Sequence, residues 1–560
     1  MAIMTNRRGY FSYLALLGAI AIGLILRFWH LDLKPLWMDE VITAIFSLGK
    51  SYHDLPLDVV LPLRDIPNIF TFQSGVSCGE IAQNLATQST HPPLFFCGMY
   101  RWFEWIGILG NDWVTKLRSL PALFGVAAIA AIYGVNYITF SPTAGIIAAF
   151  LMAVSPFAVY LSQEARHYTL PMFLITLSLL GLMQIQQDIA KERLRFWVWF
   201  LWIVINIIGF YTHYFFILDF IAAIVTLLGL INLYKYQHLK IKRQFLLSLG
   251  ISIITVIICF IPWVLVTLSH AQRSETSWLN SPGIFAPFYQ TLINLVLMVI
   301  ALPVENQALI TIIISALLML IVGIWLGVKL FKSFKQLWKQ NKTHDATLTL
   351  IMFTGLVLLQ CFAIAYVSGK DITAIPRYSF VYYPSFCALI SAGLCHTQTL
   401  RSQTFRQILI VILIGVCSSV LVGSNFVFQK PFQPEKVAQN MNLDPSLPLS
   451  LVVTYDNYQD IALGLSFALA LEQIRTQTSD ADSFVALRKS PDLATVWTKL
   501  SQLSIKVTSQ LNLWIVAPGL RRRDYPQQLK LAEQTNCTIN PQHHYRIGIP
   551  YQLYQCSNVN

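Results

Sequence analysis
Acidic side chains are scarce in this 560-residue chain, 27 Asp and Glu against 39 Lys and Arg, and charged residues of all kinds make up only 12% of it. So little charge, with 55% hydrophobic residues and a mean hydropathy of +0.57, excludes a soluble protein. Repeated apolar stretches of about 20 residues make it an integral membrane protein instead. No zinc-type cysteine spacing is present. The net charge of +12 does not point to nucleic acid, because no nucleic-acid motif is found and the basic residues cluster in short loops between apolar spans. Positive charge there sets orientation. No small-residue cleavage pattern follows Trp29, so the apolar run after Arg7 and Arg8 reads as a retained helix. One half of the chain does not repeat the other, and the notable charges lie at one surface, which argues against a transporter or lipid flippase.

Eleven spans are expected, at roughly 11–29, 119–137, 144–161, 169–186, 196–211, 214–233, 245–267, 309–331, 347–367, 378–395 and 407–428. The first is long enough, at about 1.5 Å per residue, to cross a bilayer core of roughly 30 Å. Segments 94–109 and 288–303 are short for spans and read as helices along the outer surface. With that choice four basic loops share the cytoplasmic side with the N-terminus: Lys191/Arg193/Arg195, Lys235/Lys240/Lys242/Arg243, Lys332/Lys335/Lys339/Lys342 and Arg401/Arg406. The polar features then gather outside, in the loop 30–118, the turn SQEARHY at 162–168, Thr212–His213, the loop 268–308 and the turn at 369–379.

From about Gln429 the pattern changes. Apolar runs such as LSLVVTY and LNLWIVAPG alternate with helix-like segments such as NYQDIALGLSFALALEQ, which predicts a small extracytoplasmic α/β domain over 429–560. The rest, 1–428, reads as an all-α polytopic membrane bundle. Cys78 with Cys97 and Cys537 with Cys556 are candidate disulfides in an oxidising compartment, whereas the five cysteines in or beside spans read as small apolar residues.

Two adjacent acids, Asp39 and Glu40, stand in LWMDEVITA just beyond the first span. They are followed by THPPLFF at 90–96, KLRSLPALFG at 116–125, SPFAVYLSQEARHYTL at 155–170 and AIPRYSF at 374–380. In this order and on this topology, the set resembles the GT-C class of membrane glycosyltransferases. The branch it is most similar to is the bacterial one related to protein O-mannosyltransferases (glycosyltransferase family 39) and lipid A aminoarabinose transferases, over residues 10–400. The resemblance implies an enzyme of the bacterial inner membrane. It would move a sugar from a polyprenyl-phosphate donor to a lipid, glycan or protein acceptor on the extracytoplasmic side, with inversion. It implies Asp39 as catalytic base beside Glu40, and Arg377–Tyr378 on the carrier phosphate. A donor without a nucleotide fits the absence of any Gly-rich nucleotide loop. No cofactor is required with certainty; some relatives use a divalent cation, but no ligand cluster here demands one. A long β-rich insertion between middle spans, usual in the protein O-mannosyltransferases, is missing, which weighs against a protein acceptor.

General chemistry asks for the same parts. Transfer from a sugar phosphate needs a base for the acceptor hydroxyl and cations for the leaving phosphate. The planar fork of arginine suits phosphate. Each candidate keeps a plainer alternative. Asp39 also suits a helix cap near Val41 or a solvated loop acid. Glu40 suits a partner, a metal or the acceptor, or simply water. His91, in His-Pro-Pro, suits a rigid turn as well as a substrate contact. Arg118 suits interfacial snorkelling. Arg166 and His167 share a turn with Glu164, which suits an ion pair as well as a phosphate. His213 reads as a satisfied interfacial histidine, and Arg521–Arg522–Arg523 as a solvated patch. Trp37, Trp102 and Trp105 fit an interfacial belt in contact with membrane lipids.

Overall fold
The computed structural model describes residues 2–107, 112–271, 273, 279, 281–395, 402–475, 481–490, 492–505, 510–531 and 535–558. Arg401 of the fourth basic loop lies outside them. The described chain divides into two compact units: Met1–Leu31, Ser89–Phe95 and Thr115–Phe428 form one, and Asp32–Gln88, Phe96–Val114 and Gln429–Asn560 the other. Segments of the expected 30–118 loop are therefore counted with the C-terminal segment.

The first unit is helical. Seven of its helices are long and apolar enough to cross a membrane: Trp113–Thr139, Thr169–Ala190, Phe216–Leu233, Leu239–Ala271, Leu309–Lys339, Asn341–Val367 and Thr404–Gly423. A further apolar pair, Pro142–Val154 and Pro156–Ser162, is bent by 56° at its break. Shorter apolar helices, Ser12–Phe28, Phe196–Phe210 and Tyr383–Cys395, occupy the remaining expected positions. The two segments read as surface helices form Leu94–Ile106 and Ala286–Leu297, of 13 and 12 residues.

Local chemistry explains the broken pair. Ser141 accepts a hydrogen bond from the Ala144 N–H, and Pro142 follows as the first helical residue. The same device recurs one helix later: Ser155 accepts from the Ala158 N–H ahead of Pro156. Pro156 disfavours helical backbone at Ser155, so the first helix must stop there. Burial separates core from lipid-facing helices. The apolar window of Thr169–Ala190 is 67% buried, but that of Leu309–Lys339 only 11%, with Leu317, Ile321, Ile324 and Val328 exposed. That exposure suits lipid contact.

The second unit is built on a seven-stranded mixed sheet. Its strands are β1 (Leu61–Pro62), β2 (Leu449–Tyr455), β3 (Ser483–Arg488), β4 (Gln510–Val516), β5 (Gln528–Leu531), β6 (Thr535–Ile547) and β7 (Ile549–Asn558), in the order β1-β3-β2-β4-β7-β6-β5. β2 pairs in parallel with both β3 and β4. Such pairs need crossover segments, supplied by the helices Tyr458–Ile474 and Leu493–Gln502. Every residue of β2 is buried, as expected of a central parallel strand read from the continuous run LSLVVTY. β1 comes from the first loop and pairs antiparallel with β3, Leu61 opposite Phe484. Both candidate disulfides are present, Cys78–Cys97 and the cross-strand Cys537–Cys556. The buried Arg475 grips Asp482 with two parallel bonds, Nε to Oδ2 at 2.8 Å and Nη2 to Oδ1 at 3.0 Å.

Candidate active site
In the second unit, Asp39 and Glu40 sit in the first turn of the helix Met38–Ser47, where carboxylates complement the helix dipole. Trp37, with extended backbone, is the capping position, so Asp39 lies inside the helix. The Thr43 hydroxyl donates to the Asp39 carbonyl at 3.0 Å. Glu40 is fully buried, and its Oε2 lies 3.1 Å from the buried Lys430 Nζ. Asp39 keeps 9% of its surface exposed, so of the two acids it retains access to solvent. The helix packs on the crossover helix Tyr458–Ile474.

In the first unit, residues far apart in sequence converge on the turn after Ser162. Arg166 Nη2 lies 2.9 Å from His91 Nε2. A guanidinium can only donate, so His91 Nε2 accepts, and its Nδ1–H donates to Ser89 Oγ at 2.8 Å. The His167 ring stands 5.0 Å from His91 and 4.7 Å from His213. Tyr378 packs 6.3 Å from Tyr168 and 4.9 Å from Phe215, and the Arg377 guanidinium lies over Tyr378 at 5.7 Å. Tyr160 lies beside Arg377. Four of the six expected substrate-binding residues thus cluster with Tyr378, namely His91, Arg166, His167 and Arg377. Arg118 is instead fully buried and donates to the Leu31 carbonyl at 2.8 Å, bracing the end of the first helix.

Burial and the arginines dominate the electrostatics of the histidines. Burial first, and then Arg166 and neighbouring histidines, hold the His91 imidazole well below its ordinary value. Burial, His213 and Arg166 do the same to His167. For His213, burial and Arg166 bring it down to about 3. These rings are neutral at physiological pH, so they offer N–H groups without adding charge, and the arginines carry the positive potential. Among the described residues no group of three or more His, Cys, Asp or Glu is arranged to hold a metal ion.

Sequence reasoning missed several participants. His213 belongs to the cluster rather than to a plain interface: its Nδ1 accepts from the Phe215 N–H at 2.9 Å, which aims the rest of the ring at His167. His270 is held by the Tyr214 hydroxyl at 2.7 Å, itself approached by Trp263 Nε1 at 3.1 Å. Arg273 donates to the Ser89 carbonyl at 2.6 Å, fixing the strand of chain that carries His91. A single histidine at the end of a long apolar helix gives no sign of that convergence. Lys430 was equally invisible, since nothing in its neighbourhood names Glu40 as its partner.

No known family model matches the chain, and no curated protein matches it. Solved structures do. ArnT from Cupriavidus metallidurans bound to undecaprenyl phosphate is 13% identical and aligns over 97% of this chain and 98% of its own, with a TM-score of 0.52. The same protein in the apo state gives 12% identity, 97% coverage of both chains and a TM-score of 0.53. A looser likeness is to the archaeal oligosaccharyltransferase AglB from Archaeoglobus fulgidus, at 10% identity and a TM-score of 0.44 over 91% of this chain and 70% of that one. At such identities the likeness to ArnT establishes the fold alone, a polytopic helical membrane bundle with a small C-terminal sheet domain, as expected from the sequence.

Proposed function
We propose that this protein is a glycosyltransferase. It moves a sugar from a polyprenyl-phosphate donor to an acceptor hydroxyl on the extracytoplasmic side of the bacterial inner membrane, with inversion. The observation that carries the reading is the convergence of Arg166 and Arg377 with His91, His167 and Tyr378 in one partly buried cluster. Two guanidiniums among neutral imidazoles have the chemistry of a phosphate site, and the ArnT structure was solved with undecaprenyl phosphate bound.

In the proposed step Asp39 takes the proton of the acceptor hydroxyl. The hydroxyl oxygen forms a bond to the anomeric carbon, and the bond from that carbon to the carrier phosphate oxygen breaks. The electron pair stays on the phosphate, where the arginines stabilise the charge as it develops. Glu40, bound to Lys430, has the task of holding the helix that carries Asp39.

The test is to incubate the purified protein with radiolabelled polyprenyl-phosphate sugars and membrane extract, and to identify the labelled product. Asp39→Asn is expected to lower turnover by about 10²–10⁴, the usual worth of a general base, while donor binding changes little. Movement of lipid or solute with no sugar transfer by the wild-type protein would overturn the assignment.

A further inference from the structure
The break at Ser155 leaves backbone carbonyls inside the first unit, away from the hydrogen bonds a continuous helix supplies. Each of the last three carbonyls of Pro142–Val154 accepts from a side chain. Arg27 Nη2 donates to Met152 O at 2.9 Å and Arg27 Nη1 to Ala153 O at 2.9 Å. Ser419 Oγ donates to Val154 O at 2.8 Å. Unpaired carbonyls are costly in such surroundings, and a cation at a helix C-terminus also meets the negative end of its dipole.

Arg27 is fully buried near the end of the first helix, and space is cleared for it. A Cβ at Gly125 would come within 2.9 Å of Arg27 Nε and 2.1 Å of Ser162 Oγ, and one at Gly23 within 3.1 Å of Arg27 Nη1. A second tie lies one short helix later. Gln163 Nε2 donates to the Leu26 and Trp29 carbonyls, at 3.2 and 3.0 Å. Arg27 thus holds the end of Pro142–Val154 just before the break, and Gln163 holds the end of Pro156–Ser162, both against the end of the first helix. That short helix carries Tyr160, beside Arg377, and leads directly into Arg166 and His167.

We infer that Arg27 and Gln163 are positioning residues, a two-point clasp that sets the short helix and the following turn so that Arg166, His167 and Arg377 meet the carrier phosphate. The inference rests on the phosphate-site reading above. A buried charge among membrane helices whose hydrogen bonds, among the described residues, go to backbone carbonyls has this use or a purely architectural one, and the two differ in what they do to ligand binding.

The experiment uses full-length protein in nanodiscs, with undecaprenyl phosphate as the binding probe and donor KM and kcat as further readouts. Arg27→Gln and Gln163→Leu are expected to weaken undecaprenyl phosphate binding and raise donor KM by roughly 10-fold, with kcat at saturating donor little changed, because misplacement acts at a distance. Arg27→Lys keeps a donor and a charge and should recover part of the loss. If Arg27→Gln does not fold, Gln163→Leu reads the same clasp without removing a charge. Folded variants with wild-type binding and KM would overturn the inference and leave the phosphate site standing. Wild-type protein that binds no undecaprenyl phosphate would overturn the site itself, and the clasp with it.

Discussion
Glu40 and Lys430 hold opposite charges 3.1 Å apart with almost no exposure. Removing one partner of a buried pair leaves an uncompensated charge and costs about 3–5 kcal/mol. Glu40→Gln should therefore lower the melting temperature clearly, and Glu40→Gln with Lys430→Met should recover much of it; equal losses in both would show that the pair is not coupled. The histidines supply a pH dependence. Unfolded, His213 returns from about 3 to its ordinary 6.5, so between these values the unfolded chain binds a proton that the folded one refuses. Stability then falls as pH drops below about 6.5, by roughly 1.4 kcal/mol per unit for each such residue. His91 and His167 act in the same direction. Melting curves between pH 7.5 and 5 should show a steep decline that His213→Gln makes shallower. Part of the histidine–arginine cluster was legible as motifs: His91, Arg166 and Arg377 were each marked by neighbours such as His-Pro-Pro or Pro-Arg-Tyr. His270, Arg273, Lys430 and Arg27 were not, because their roles come from partners tens to hundreds of positions away.

At the scale of elements, the helices were readable because each carries its own signal. Apolar runs gave the spans, but the expectation of one continuous span over 144–161 missed the 56° bend that the Ser-Pro pair at 155–156 imposes. The sheet was readable only in part. Continuous apolar runs announced β2 and β4, but Leu61–Pro62 is too short, and flanked by too many prolines, to look like a strand. The Cys78–Cys97 bridge ties the helix Cys78–Gln88 to the helix Leu94–Ile106 in the first loop. Closing a loop of this size stabilises by about 3 kcal/mol. Replacing Cys78 and Cys97 by serine should lower the unfolding midpoint under non-reducing conditions, where the Cys537–Cys556 bridge stays intact in both proteins. An unchanged midpoint would mean that the loop is held by packing alone.

For the whole molecule, the proposed orientation puts the basic loops in the cytoplasm and the sheet domain outside. Arg523→Cys, exposed in that domain, should react with an impermeant maleimide on spheroplasts, and Lys240→Cys only after permeabilisation; the reverse pattern would invert the topology. Deleting 429–560 removes both Lys430 and the helix on which Met38–Ser47 packs, so it should abolish transfer even though Asp39 remains. That dependence has a temporal side. β1 leaves the ribosome more than 400 residues ahead of β3, the strand it pairs with. During all that synthesis the acid-bearing loop must wait without the strand its edge pairs with. A chain that ended before residue 429 would carry every described apolar helix but neither β3 nor Lys430, and is expected to be inert.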